Sequence, residues 1–413
     1  MNGIRQPMAK ADGLQNYRTV GNALALIVLF VVLAEFVSIV RQPVVRDFIS
    51  FWGAGQLALE GVPAAAYDKD ALRSVQLGAA AFGAGEMPFP YPPAYLLLIL
   101  PFALLPFPAA MAAWVVVTFL GYFAAVRRMF PDSGWLAAAF PAVLANAAIG
   151  QNAFVTAAIF IAGMAALPKR PFVAGLLLGC LVLKPQLGLL LPIAFVAGRY
   201  WSAFAGAAIS SVGTLLAGLL IFGLPATAAW LEQMPLYASI ARDGLVGWHK
   251  LASVYASARQ AGLGQEAAFA LHLTGALAAA GAVWRAWRSD ADPVAKAAIL
   301  AAATMLVSPY LFIYDALILV VPLFWLARSQ VPPALVGGLW CLPIVSIAQA
   351  QGLSGPLNLN PILPLALLVV CIRAREASAS ERPSPGSDQH PEQHRDRARN
   401  PDLSLQPEAY GRP

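Results

Sequence analysis

The chain has 413 residues, of which 59% are hydrophobic and only 12% charged, with a formal net charge of +6 and a mean hydropathy of +0.67. A soluble domain carries about 25% charged residues, so this composition cannot cover a water-facing surface and excludes an ordinary soluble protein. The basic balance does not indicate nucleic acid, because Lys and Arg lie mostly in short connections and tails, as in cytoplasmic loops of an inner-membrane protein. Three cysteines, Cys180, Cys341 and Cys371, all fall inside apolar runs and offer neither a metal spacing nor a disulfide framework.

The N-terminal residues 1–19 are polar and basic, and read as a cytoplasmic N-terminus. The first apolar run, Val20 to Val40, is long for a signal peptide and lacks a strong small-residue cleavage site, so it reads as an uncleaved span. Residues 41–92 form a first outer loop, with an amphipathic piece over Phe48 to Leu59 and a second helical piece near Lys69 to Phe82. Prolines at 90, 92, 93, 101, 106 and 108 then argue against a straight helix, since each removes a donor and crowds the preceding turn.

One crossing ends at Arg127-Arg128. Further spans are expected at Trp135 to Ile149, Ala153 to Leu167, Phe172 to Leu183, Leu187 to Val196 and Ala203 to Phe222. A second large outer loop covers residues 223–264. Spans follow at Ala267 to Trp287, Val294 to Val307, Phe312 to Ala327, Pro332 to Ala348 and Pro361 to Ile372. The arginines and lysines that end or join these spans all fall on the cytoplasmic side if Pro93 to Pro108 is interfacial or re-entrant; the count is then about 12, with both ends inside. The fold class expected is an all-α polytopic membrane protein, with residues 20–373 as the transmembrane domain. Residues 374–413 are rich in Pro, Ser, Arg and acids and read as a disordered cytoplasmic tail. His390 and His394 within it carry only a weak metal signal.

With this topology the polar clusters share the outer face. Asp47 and Asp68 lie in the first outer loop; Gln151 and Asn152 in "IGQNA", Lys184 and Gln186 in "LKPQ", His249 and Lys250 in "GWHKLAS", and Tyr310 and Asp315 in "SPYLFIYD" join them. Clusters converging on one face suggest the rim of a cavity, which Arg46, Trp52 and Tyr91 are also expected to line. Asp47 suits a general base acting on a hydroxyl; an interfacial acid paired with Arg46 or Arg41 is the other reading. Lys184 suits a phosphate or a lysine snorkelling to headgroups. His249 and Lys250 suit a phosphate or a solvated loop. Asp68 and Asp70 have a D-x-D spacing, yet on the outer side nucleotides are absent, and no metal is assigned. Phosphate-binding and metallohydrolase motifs are missing.

The ordered set "RDFISFWGAGQLALEGVPAAAYD", "FPYPPAYLLLILPFALLP", "GQNA", "KPQLGLLLP" and "SPYLFIYDALIL" resembles the GT87 glycosyltransferases, polytopic enzymes of GT-C type that include mannosyltransferases. The resemblance covers most of Arg41 to Val320. It implies a polyprenyl-phosphate sugar donor, a lipid or glycan acceptor, catalysis on the outer face of the inner membrane, and a catalytic aspartate in the first outer loop, which Asp47 matches. It also implies inverting transfer, mannose being the favoured sugar, with the donor phosphate near Lys184, His249 and Lys250, and no cofactor. The chain departs from the family at Tyr310, where a histidine is frequent, and at "HKLAS", where an Asn-Ser pair is common. A transporter or lipid flippase is the competing class; it would show matched broken helices in two halves, and no clear repeat is visible.

Overall fold

The computed structural model describes residues 18–41, 46–79, 87–353, 355 and 357–380. The expected tail from 374 therefore lies mostly outside the described residues, as does most of the N-terminal segment. Among the described residues there are seventeen α-helices with short 3-10 turns between them and no strand; one isolated antiparallel bridge joins Leu251 and Phe312.

Helix α1 (Arg18–Arg41) leads into α2 (Phe48–Leu59) and α3 (Lys69–Ala79). Helix α2 buries eight of its twelve residues, so little of it remains to lie on an interface. The amphipathic member is α3, which buries Leu72 and Gln76 and leaves its charged residues on the outside. Helix α4 (Tyr95–Ala103) is nine residues long, about 13 Å at 1.5 Å per residue, well short of a ~30 Å hydrocarbon core. Helix α5 (Phe107–Met129) runs for 23 residues, about 35 Å.

The bundle continues with α6 (Leu136–Ala139), α7 (Pro141–Ile149), α8 (Ala153–Ala166), α9 (Pro171–Gly179), α10 (Leu191–Ala197) and α11 (Trp201–Arg242). It closes with α12 (Val254–Gln260), α13 (Gln265–Arg288), α14 (Pro293–Val307), α15 (Val320–Ala327), α16 (Pro333–Ala350) and α17 (Ile362–Ser380). Helices α7, α9, α14 and α16 each begin with proline in the first turn, where the missing N–H costs nothing and the fixed φ favours helix. Among the described residues four helices, α5, α11, α13 and α16, are long and apolar enough to cross a membrane, and seven shorter apolar helices accompany them. Helix α11 is broken at Gly223, whose φ of 83° lies outside the helical region.

Backbone contact replaces side-chain packing between α9 and α11. A Cβ on Gly175 would fall 2.8 Å from the carbonyl carbon of Ala203, and one on Gly179 would fall 2.9 Å from the Cα of Ala207. Small residues four apart let two membrane helices approach this closely, since lipid supplies no hydrophobic drive between them. The buried apolar residues form two main cores. One centres on α8, α14 and α15, and the other on α2, α4 and the start of α5. In the second, Phe48 stacks on Phe107 and Trp114 at centroid distances of 6.2 and 5.8 Å, and Tyr91 stacks on Tyr95 at 4.4 Å.

The two ends of α5 define two faces. Its first residue, Phe107, packs on Phe48 next to Asp47; its last turn carries Arg127 and Arg128. Near that last turn, Arg328 after α15 pairs with Asp132 and lies over the Phe130 ring at 4.8 Å. The connections after α5 and α15 thus share the arginine-bearing face.

Candidate active site

Asp47 occupies the N-cap position of α2, where its carbonyl accepts from the Ser50 N–H at 3.1 Å. An N-cap aspartate ordinarily turns its side chain onto the helix's first amides. Here the side chain makes no such bond. Instead its Oδ2 accepts from Gln151 Nε2 at 2.9 Å. Burial pushes the Asp47 carboxyl above the ordinary carboxylate range, while the Gln151 hydrogen bond and the charges of Lys250 and Arg46 pull it back.

Gln151 reaches Asp47 because of the residue before it. Gly150 ends α7 with φ 69° and ψ 30°, the left-handed conformation in which glycine carries no Cβ penalty. Its lack of a side chain lets the turn lie against Phe48, and Trp114 Nε1 donates to its carbonyl at 3.0 Å. The Asn152 backbone N–H donates to Gln151 Oε1 at 3.3 Å. That bond assigns the amide orientation, since a flipped group would set two donors face to face.

Asn152 is fully buried, and its Oδ1 accepts from Lys184 Nζ at 3.2 Å. Lys184 is also buried, and pairs with Asp315 Oδ1 at 2.5 Å while standing 4.9 Å over the Tyr314 ring. The second Asp315 oxygen accepts from the Phe312 N–H at 3.1 Å. Lys184, expected beside a phosphate, has its charge compensated within the protein.

The strip 308–315 then meets the second outer loop. The Ala252 N–H donates to the Leu311 carbonyl at 2.7 Å, next to the Leu251–Phe312 bridge. This sets His249 and Lys250 over the site, with Lys250 exposed and His249 half-buried. Burial, and then the Lys250 charge, hold the His249 imidazole below its ordinary pKa. Two asparagines absent from the expected set pin this loop. Asn358 Nδ2 donates to the Trp248 and Leu251 carbonyls at 2.8 and 2.9 Å; Asn360 Nδ2 donates to the His249 carbonyl at 2.7 Å. The sequence signal available for them was "LNLN", two asparagines between apolar spans.

Other expected residues fall around or outside this cluster. Tyr91 is buried, and the charges of Asp315 and Asp47 both act on its phenol. Arg46 is half-buried beside Asp47. Tyr310 is half-buried and sits within electrostatic reach of Arg242 and Tyr255. Gln186 is half-buried in the turn after Lys184. Trp52 points elsewhere, donating through Nε1 to the Leu105 carbonyl at 2.9 Å, and so anchors the proline segment. Asp68 is exposed and accepts from the Ala71 N–H at 2.8 Å, which makes it a cap for α3. Among the described residues, no three His, Cys, Asp or Glu side chains gather as metal ligands.

The arrangement provides a half-buried carboxylate with one oxygen held by an amide, an exposed cation within electrostatic reach, and a weakly basic imidazole beside that cation. Such a set can take a proton and stabilise a departing anion. The family model of glycosyltransferase family 87 matches residues 89–309, more than half of the chain. No curated protein and no solved structure matches it.

Proposed function

The chain belongs to glycosyltransferase family 87 and is a membrane glycosyltransferase, and from that premise we propose that it moves a sugar, mannose being favoured, from a polyprenyl-phosphate donor to a lipid or glycan acceptor. In this reading the acceptor hydroxyl lies against Asp47 Oδ1, the oxygen that Gln151 does not occupy. Asp47 takes the hydroxyl proton as the acceptor oxygen attacks the anomeric carbon. The bond from that carbon to the phosphate oxygen breaks on the opposite side, so configuration inverts. The phosphate leaves with the electron pair. Lys250 and His249 neutralise its charge, the lysine as a cation and the imidazole as a hydrogen-bond donor. The activated donor bond supplies the driving force.

The observation that carries this reading is the Asp47 carboxylate, turned away from its own helix and held by Gln151 within reach of Lys250. General-base work needs such a group positioned and partly desolvated. The reaction is assigned to the outer face of the inner membrane, because Asp47 and the arginine pair lie at opposite ends of α5 and clustered arginines mark the cytoplasmic side. Roughly 12 crossings, with both termini inside, remain the topology that this assignment uses.

The test is transfer from polyprenyl-phosphate mannose to a crude lipid extract, read by mass spectrometry as a hexose increment. Asp47→Asn should abolish transfer and leave donor binding largely intact. Full turnover in that variant sinks the base assignment.

A further inference from the structure

We propose that the buried Lys184–Asp315 ion pair is a positioning device for Asp47, joining one arm that ends on that carboxylate to a second that ends on Lys250, a cation within electrostatic reach of it. Its catalytic meaning rests on the reading of Asp47 as the base. The first arm runs from Lys184 Nζ to Asn152 Oδ1 at 3.2 Å, from the Asn152 N–H to Gln151 Oε1 at 3.3 Å, and from Gln151 Nε2 to Asp47 Oδ2 at 2.9 Å. The second arm runs from Asp315 Oδ2 to the Phe312 N–H at 3.1 Å, across the bridge to Leu251, and so to Lys250.

The chemistry of the pair supports a positioning role. Both side chains are at most 4% exposed. A buried ion pair often adds no net stability over apolar side chains of similar size, so folding energy alone does not account for it. Here the pair fixes direction: the lysine fixes which way the Asn152 carboxamide faces, and the aspartate fixes the start of the turn that carries Tyr314. The groups facing Asp47 are Arg46 on its own segment, Gln151 before α8, Lys250 on the loop, Tyr91 before α4, and Tyr314 after α14. Of these, Gln151, Lys250 and Tyr314 sit on segments that the pair ties together. Both Gln151 and Lys250 favour the ionised carboxylate against its burial. Loosening the pair should therefore make Asp47 harder to ionise.

The experiment measures the protonation of Asp47 without any substrate. Purified full-length protein in detergent is treated with dicyclohexylcarbodiimide, which reacts with protonated buried carboxyls, across a pH series; the Asp47 peptide is then quantified by mass spectrometry. Three variants are compared with the wild type: Gln151→Met, Asn152→Leu and the apolar pair Lys184→Met/Asp315→Leu. The apolar pair avoids leaving a lone buried charge, and Asn152→Leu breaks the first arm with the ion pair intact should the double variant fail to fold. In all of them the labelling midpoint should move to higher pH. In transfer assays the double variant should lose roughly tenfold to a hundredfold in kcat with little change in KM, as expected for a misplaced catalytic group. A wild-type midpoint in Asn152→Leu and in the double variant overturns the proposal, even if Gln151→Met shifts it. Asp47→Asn separates the two ideas: turnover in that variant removes the base assignment, while the labelling midpoints still decide whether the pair positions Asp47.

Discussion

Gly150→Ala is the substitution through which the geometry of the site can be tested most directly. A Cβ at this position would stand 2.6 Å from Phe48 Cβ, whereas ordinary contact begins at 3.4 Å, so the turn and α2 must part by about 0.8 Å. Phe48 cannot yield, because its ring is stacked between Phe107 and Trp114. The same displacement would stretch the 2.9 Å Gln151–Asp47 bond to about 3.7 Å, past the range of an N–H···O hydrogen bond. Alanine also pays about 1–2 kcal/mol for the left-handed backbone, and overpacking adds about 1–3 kcal/mol, so the loss should be about 2–5 kcal/mol. The assay is the thermal midpoint of purified protein in detergent, followed by tryptophan fluorescence at one fixed scan rate, beside sugar transfer from polyprenyl-phosphate mannose. Gly150→Asn serves as a comparison, since asparagine tolerates the left-handed region but keeps the collision. It should unfold later than the alanine variant and yet transfer as poorly. If Gly150→Ala keeps both the wild-type midpoint and the wild-type rate, the close approach of the Gln151 turn to α2 is not what positions Asp47.

Three further outcomes are expected. Because burial raises the Asp47 pKa, the folded state holds that proton more tightly than the unfolded chain, so this residue adds stability as pH falls through its folded pKa and withdraws it above. Activity should move the opposite way and decline on acidification; Asp47→Asn should melt no lower than wild type at neutral pH, and a markedly lower midpoint would contradict the cost assigned to the buried charge. Asn358→Ala removes the donor shared by the Trp248 and Leu251 carbonyls, and should speed limited proteolysis within residues 243–251; an unchanged cleavage rate means that the clamp does not hold this loop. Gly175→Ala should destabilise by about 1–3 kcal/mol through its collision with the Ala203 backbone, whereas Gly213→Ala, which meets nothing within 4 Å, should be neutral or stabilising by up to about 1 kcal/mol. Equal midpoints for the two would refute the backbone packing of α9 on α11.

The sequence was informative where its signal is local. Apolar runs and arginines at span ends announce helices whatever lies across from them, and "IGQNA" and "RDF" stand out as polar islands. The pairing of those islands was less visible. Gln151 meets Asp47 across 104 residues and Lys184 meets Asp315 across 131, and no periodicity reports contacts at that separation. Lys184 illustrates the limit: at a span end a lysine looks available to an anion, and only the folded chain shows Asp315 already beside it. Trp52 and Asp68 have the residue types of a binding site, but their partners, a carbonyl in the proline segment and a helix N-terminus, give them architectural work. Asn358 and Asn360 carry no sequence signal of their role, because their partners are backbone carbonyls, which every residue has.

The asparagine clamp lies late in the chain. A ribosome makes Asp47 early and Lys250 two hundred residues later, and of the ties on the loop bearing that lysine, the bridge to Phe312 precedes the clamp of Asn358 and Asn360. The segment matched to the family, residues 89–309, contains none of Asp47, Asp315 and these two asparagines. A nascent chain arrested between residues 315 and 357 would therefore carry the carboxylate, the cation and the bridge without the asparagine clamp, and a fragment trimmed to the matched segment would lack the carboxylate as well.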